Sequence, residues 1–192
     1  MVGRIEFLFD FGSPTTFLAH RRLAGVVQRT GAIVEYVPVL LGGLFKATGN
    51  ASPAAVPDKG RWMNIDMARF AERHGVPLRQ NPHFPINTIQ LMRIATGLVG
   101  HPDFARYVDV VFDAMWVHER NMGDPAEVRA VLAGFDADAL LELAADPEVK
   151  ERLRATTDSA VARGVFGAPT FFVGDAMYFG QDRLDWVEEA VS

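Results

Sequence analysis

The sequence predicts an α/β fold made of a β-α-β unit, a long all-helical stretch and a closing β-β-α unit. Three observations carry that expectation. Short apolar and aromatic runs fall only near the two ends, over 4–11, 32–40, 168–174 and 176–180. Helical spacing separates the first two runs, and a tight turn separates the last two. Between about 42 and 160 helical periodicity recurs without a strand signal or a repeat period.

The first strand, over 4–11, ends at Gly12-Ser13-Pro14. Pro14 suits the first position of a helix, where its missing N–H costs nothing, and Ser13 suits the N-cap before it. Phe17, Leu18, Leu23, Val26 and Val27 form the apolar stripe of that helix, and Gly31 closes it. The second strand follows over 32–40, with Pro38 marking an edge or a bulge. A right-handed crossover then makes the two strands parallel.

Gly42, Gly43, Gly49 and Pro53 predict an irregular stretch, after which Trp62, Met63, Met67, Phe70 and His74 recur at helical spacing. Residues 75–85 contain three prolines and read as an ordered loop. Asn87 suits the cap of a helix running to about Val99. Phe104, Val108, Val111 and Met115, with Tyr107, Val110, Phe112 and Trp116, define a helix apolar nearly all round and therefore central. Further helices are expected over 126–132, 138–145 and 147–163. The strands over 168–174 and 176–180 form a hairpin around Asp175. Gln181-Asp182-Arg183 opens the last helix, with Leu184, Trp186 and Val187 facing inward.

Composition narrows the function. The chain has 192 residues, 49% hydrophobic and 22% charged, enough for a real core in one domain or in a core domain with one large insertion. A net charge of −5 and the absence of any basic footprint exclude a nucleic-acid binder. No run of ~18 apolar residues predicts a membrane span. Residues 1–6 carry an acid at once and do not read as a signal peptide, so the cytoplasm is the expected compartment. The cysteine count is zero, which excludes disulfides, thiolate metal sites and a redox dithiol. Any thiol chemistry must use a thiol carried by a small molecule.

Four segments carry a resemblance: Phe9-Asp10-Phe11-Gly12-Ser13-Pro14, Phe45-Lys46-Ala47-Thr48-Gly49-Asn50, Gly164-Val165-Phe166-Gly167-Ala168-Pro169-Thr170 and Phe179-Gly180-Gln181-Asp182-Arg183. In this order they resemble the 2-hydroxychromene-2-carboxylate isomerases, relatives of the kappa-class glutathione transferases. The likeness spans essentially the whole chain. It implies a thioredoxin-like fold of the DsbA kind, with a core from about 1–41 and 164–192, a helical insertion over about 42–163, and a cis bond at Ala168-Pro169. It also implies a homodimer, and glutathione as the thiol. The implied reaction interconverts 2-hydroxychromene-2-carboxylate and trans-o-hydroxybenzylidenepyruvate in aromatic degradation. A kappa-like transferase or peroxidase and a non-catalytic thioredoxin-like binding module are the alternatives.

Ser13 reads in two ways. It is a plain N-cap, or it donates a hydrogen bond to a thiolate held at a helix N-terminus, where free N–H groups also favour an anion. A role as nucleophile is disfavoured, because no base lies nearby in sequence and no Gly-x-Ser-x-Gly elbow surrounds it. The resemblance implies that Ala168 and Pro169 pair with the cysteinyl main chain of glutathione. It further implies that Asp182 and Gln181 meet the γ-glutamyl end and Asn50 the glycyl end. Asp182 also reads as an acid complementing a helix dipole, and Asn50 as a turn residue.

Lys46 is the candidate for the substrate carboxylate, with Lys59 and Arg61 as weaker alternatives. Trp62, Phe84 and Trp116 are candidates for an aromatic wall, Phe84 being the one assigned to substrate. His83 is the histidine expected nearest a site. The five histidines show no metal-ligand spacing, and no metal is expected.

Overall fold

The computed structural model describes residues 2–192. Along the chain run β1 (Arg4–Phe9), α1 (Pro14–Thr30), β2 (Ile33–Pro38), α2 (Leu41–Thr48), α3 (Pro57–His74), α4 (Ile89–Leu98) and α5 (Phe104–Trp116). Then follow α6 (Pro125–Val131), α7 (Ala137–Ala145), α8 (Pro147–Ala162), β3 (Thr170–Val173), β4 (Ala176–Phe179) and α9 (Leu184–Val191). The sheet order is β2-β1-β3-β4, with β1 and β2 parallel and the other two pairs antiparallel. This is the expected thioredoxin-like arrangement with helices inserted between its halves.

β1 is central, and its second half, Phe7–Phe9, is buried on both faces, which is why that half is apolar throughout, whereas Arg4 and Glu6 in its first half still reach solvent. Ile5, Phe7 and Phe9 join the main core with α1, α4 and α5, while Leu8 packs on the other face with Val39, Leu44, Val165 and Phe172. Phe7 stacks on Phe171 at 5.2 Å, and Phe11 meets Phe112 edge-on at 4.8 Å, both favourable aromatic geometries. The helical stretch thus shares its core with the sheet.

The helix signals of α1 act as read. The Ser13 hydroxyl accepts from the Thr16 N–H at 3.2 Å, Pro14 opens the helix, and Gly31 ends it at φ 69°, its N–H on the Val27 carbonyl. Pro38 closes β2, an edge strand, where its missing donor breaks no ladder. Thr88, not Asn87, takes the cap position of α4, although the Asn87 side chain still accepts from the Ile89 N–H. α5 is buried along most of its surface, and its Trp116 indole donates to the Phe11 carbonyl at 2.8 Å.

Two further expectations fail. The stretch from Gly42, expected to be irregular, begins inside α2, which ends at Gly49 with φ 71°. Gly43 serves packing, since a Cβ there would sit 3.1 Å from a methyl of Thr157 on α8. Trp186 is 56% exposed, with the Arg183 guanidinium over its ring at 4.9 Å. Leu184, Val187 and Val191 form the inward stripe of α9, and position 186 falls off that face. Residues Gln181–Arg183 form a 3-10 turn ahead of α9. Among the described residues no helix is long and apolar enough to cross a membrane.

Replacing Trp116 by Phe strands the buried Phe11 carbonyl without a donor. Urea unfolding should show a loss of ~1–3 kcal/mol, the ordinary cost of an unsatisfied buried polar group.

Candidate active site

β1 runs out at Phe9, and the next four residues must turn the chain into α1 without water to satisfy their polar groups. Asp10 does much of this work. Its Oδ1 accepts from the Gly12 N–H at 2.8 Å and the Thr88 hydroxyl at 2.6 Å, and its Oδ2 accepts from the Leu41 N–H at 2.8 Å. Burial pushes its pKa up, and the three hydrogen bonds offset only part of that rise.

Ser13 follows, 4% exposed, with its Oγ 3.0 Å from the Ala168 carbonyl, to which it donates, and 2.9 Å from the Thr15 hydroxyl. The Ala168-Pro169 bond is cis. A residue at the start of α1 is thereby joined to the loop that enters β3. Two backbone donors nearby, the N–H groups of Thr15 and Ala168, have no hydrogen-bond partner among the described residues.

Ser13, Thr15 and Ala168 line a cavity of about 440 Å³, within the size range of small-molecule sites. Its walls come from four places. Leu41 and Phe45 stand on α2, Met63 and Met67 on α3, Phe84 and Trp116 on one side, and Phe166 and Phe179 on the other. The last two rings pack together at 4.5 Å. Asn50 reaches across the mouth, its amide donating to the Phe166 carbonyl at 2.9 Å. Among the described residues no lining side chain is charged; the polar ones are hydroxyls, the Trp116 indole and the amides of Asn50, Asn64 and Gln80.

Of the residues singled out in the sequence, Ser13, Asn50, Phe84, Trp116 and Ala168 meet in this cavity. Pro169 lies directly behind Ala168, buried. Gln181 and Asp182 are outside the lining, two and three residues past Phe179. The Gln181 side chain is buried and accepts from Arg22 at 3.0 Å, and the exposed Asp182 pairs with Arg183 at 2.8 Å. Lys46 is exposed on the last turn of α2, next to Phe45, and Lys59, Arg61, Trp62 and His83 are exposed outside the lining.

Sequence reading assigned no role to Asp10, Thr15, Asn64 or Gln80. Met63 and Met67 were visible only as part of a core-like helical stripe. His20 is a packing residue bonded to Tyr36 and Asp109 at 2.8 Å each. Among the described residues no group of three His, Cys, Asp or Glu could hold a metal ion.

With the geometry in view, comparison with known proteins is decisive for the family. The DSBA-like thioredoxin domain matches residues 4–192. The chain belongs to that family. Within it, the sequence is 33% identical to a 2-hydroxychromene-2-carboxylate isomerase of Sphingobium xenophagum, across 98% of this chain and 97% of that one. The solved structure of a 2-hydroxychromene-2-carboxylate isomerase superposes with a TM-score of 0.88 at 30% identity, covering 97% of this chain and 93% of the other. Human glutathione S-transferase kappa 1 is 26% identical, across 94% of this chain and 87% of its own. This DSBA-like chain thus carries Ser13 and no cysteine at all.

The raised pKa of Asp10 has a defined sign. The folded protein holds that proton more tightly than the unfolded chain does. The resulting stabilisation is complete below the ordinary aspartate value of 3.8 and is lost as pH rises through the folded-state value. A carboxyl-carbon NMR titration should place the Asp10 midpoint above 3.8.

Proposed function

We propose that this chain is a glutathione-dependent isomerase acting on 2-hydroxychromene-2-carboxylate or a close aromatic relative of it. The observation that carries the reading is the full-length match to isomerases of that name, joined to a cavity where a helix N-terminus lies beside the free Ala168 N–H. Kinship with kappa-class transferases supports glutathione as the thiol.

The residues present suit such a tripeptide. The free Ala168 N–H, with the carbonyl beside it, offers an extended peptide the pairing of an added strand. The start of α1 offers the other half, with the Thr15 N–H unpaired and the positive end of the helix directed at the cavity. When bound, glutathione supplies a thiolate that adds to the conjugated system and leaves again, so that a double bond becomes rotatable in between.

The chain's own part is electrostatic and positional. Ser13 turns its hydroxyl from the Ala168 carbonyl and donates it to the sulfur anion, lowering the thiol pKa. Phe84, Trp116 and the two methionines of α3 hold the aromatic body and exclude water. Asn50 lies at the mouth, on the side assigned to the glycyl end, while Gln181 and Asp182 serve the γ-glutamyl end. The lining has no cation, so the substrate carboxylate points outward, toward Lys46 on the outer turn of α2. Cytoplasmic aromatic catabolism by a homodimer belongs to the same reading.

Ser13→Ala should cut turnover ~10- to 100-fold at neutral pH, the value of a hydrogen bond to a charged group. The same variant should raise the pH at which bound thiol ionises, read by ultraviolet absorbance of the thiolate. Wild-type kinetics would leave Ser13 as a helix cap only. Lys46→Ala should raise KM for a carboxylate substrate by about 10-fold while calorimetry finds the glutathione Kd unchanged. Glutathione should remain unspent after many turnovers; one molecule consumed per turnover would mark a transferase.

A further inference from the structure

The Asp10 side chain does not line the cavity, yet it is the polar group on which the site converges. It is 2% exposed and forms no ion pair among the described residues, an expensive state for a carboxylate unless its oxygens are used. They are used by three separate elements. Gly12 belongs to the turn before α1, Leu41 opens α2, and Thr88 caps α4. Gly12 and Leu41 both line the cavity, and Ser13 sits directly after the first of them. The Ser13 N–H in turn donates to the Asp10 backbone carbonyl at 3.2 Å.

We infer that Asp10 is a positioning residue whose two oxygens clamp the Gly12 turn and the start of α2 against Thr88. It thereby fixes where the Ser13 hydroxyl and the Thr15 N–H point. A carboxylate is suited to this and a carboxamide is not. The Gly12 and Leu41 N–H groups lie on different oxygens, and an asparagine offers one acceptor and one NH₂, so one backbone donor would face another donor. The clamp is a long-range device, since Leu41 lies 31 residues from Asp10 and Thr88 lies 78. Its effect on turnover rests on the isomerase reading; its effect on the two amides does not.

The test uses Asp10→Asn, Thr88→Val and Thr88→Ser in the full chain. Amide hydrogen exchange is followed by NMR, and glutathione-dependent isomerisation of 2-hydroxychromene-2-carboxylate is followed by absorbance. In Asp10→Asn, exchange at Gly12 or Leu41 should quicken at least about 10-fold while the Phe7 amide in β1 keeps its protection. In the same variant kcat should fall at least about 10-fold, with KM for glutathione changed less than about 3-fold. Thr88→Val should reproduce both effects in weaker form, and Thr88→Ser, which keeps the hydroxyl, should restore wild-type values.

Unchanged exchange at both amides would overturn the clamp. So would an unchanged kcat in a protein whose wild type turns over, or a loss expressed only through KM for glutathione. If the wild type shows no glutathione-dependent turnover, the isomerase reading fails, and exchange at Gly12 and Leu41 alone decides the clamp. If Asp10→Asn does not fold, the Thr88 pair decides it. Faster exchange in Thr88→Val, reversed in Thr88→Ser, supports the clamp, and wild-type exchange in Thr88→Val overturns it.

Discussion

The architecture depends on a central strand with apolar contacts on both faces. Because β1 is enclosed by helices on each side, its end is largely buried, and the turn into α1 satisfies most of its polar groups from within. Asp10 and Ser13 meet that demand. One accepts from backbone and hydroxyl donors across three elements, and the other caps α1 while donating to the loop that enters β3. A site at the end of this strand follows from the packing. Here a helix N-terminus, a turn and a strand entrance come within hydrogen-bond distance of one another, beside a cavity.

The cavity has two characters. Near Ser13 it is a place of backbone dipoles and hydroxyls, suited to stabilising a sulfur anion. The rest of its lining is aromatic and thioether, suited to a flat conjugated body. The first character comes from the sheet half of the chain, and the second largely from α2, α3 and the loop before α4.

Much of this was legible in the sequence because it is local. Ser13-Pro14 and Gly31 state where α1 begins and ends, the buried second half of β1 shows as the run Phe7-Leu8-Phe9, and the 168–180 hairpin announces itself by its turn. What escaped was set by partners far along the chain. Asp10 looks like the polar end of a strand until Leu41 and Thr88 arrive from elsewhere. Gly42 and Gly43 read as breakers, although Gly43 sits within α2 to let α8 approach. Met63 and Met67 keep a core-like helical spacing yet face a cavity. Trp186, apolar by type, falls outside the 184-187-191 stripe that the sheet covers.

The lining of α3 has one further chemical consequence. Without cysteine, sulfur oxidation in this protein falls on its seven methionines, and two of them, Met63 and Met67, stand in the cavity wall. Peroxide that converts either thioether to a sulfoxide sets a polar, chiral S–O group into a greasy surface, and only a methionine sulfoxide reductase reverses it. Oxidation at either position would therefore change the cavity wall while leaving the serine and its helix untouched.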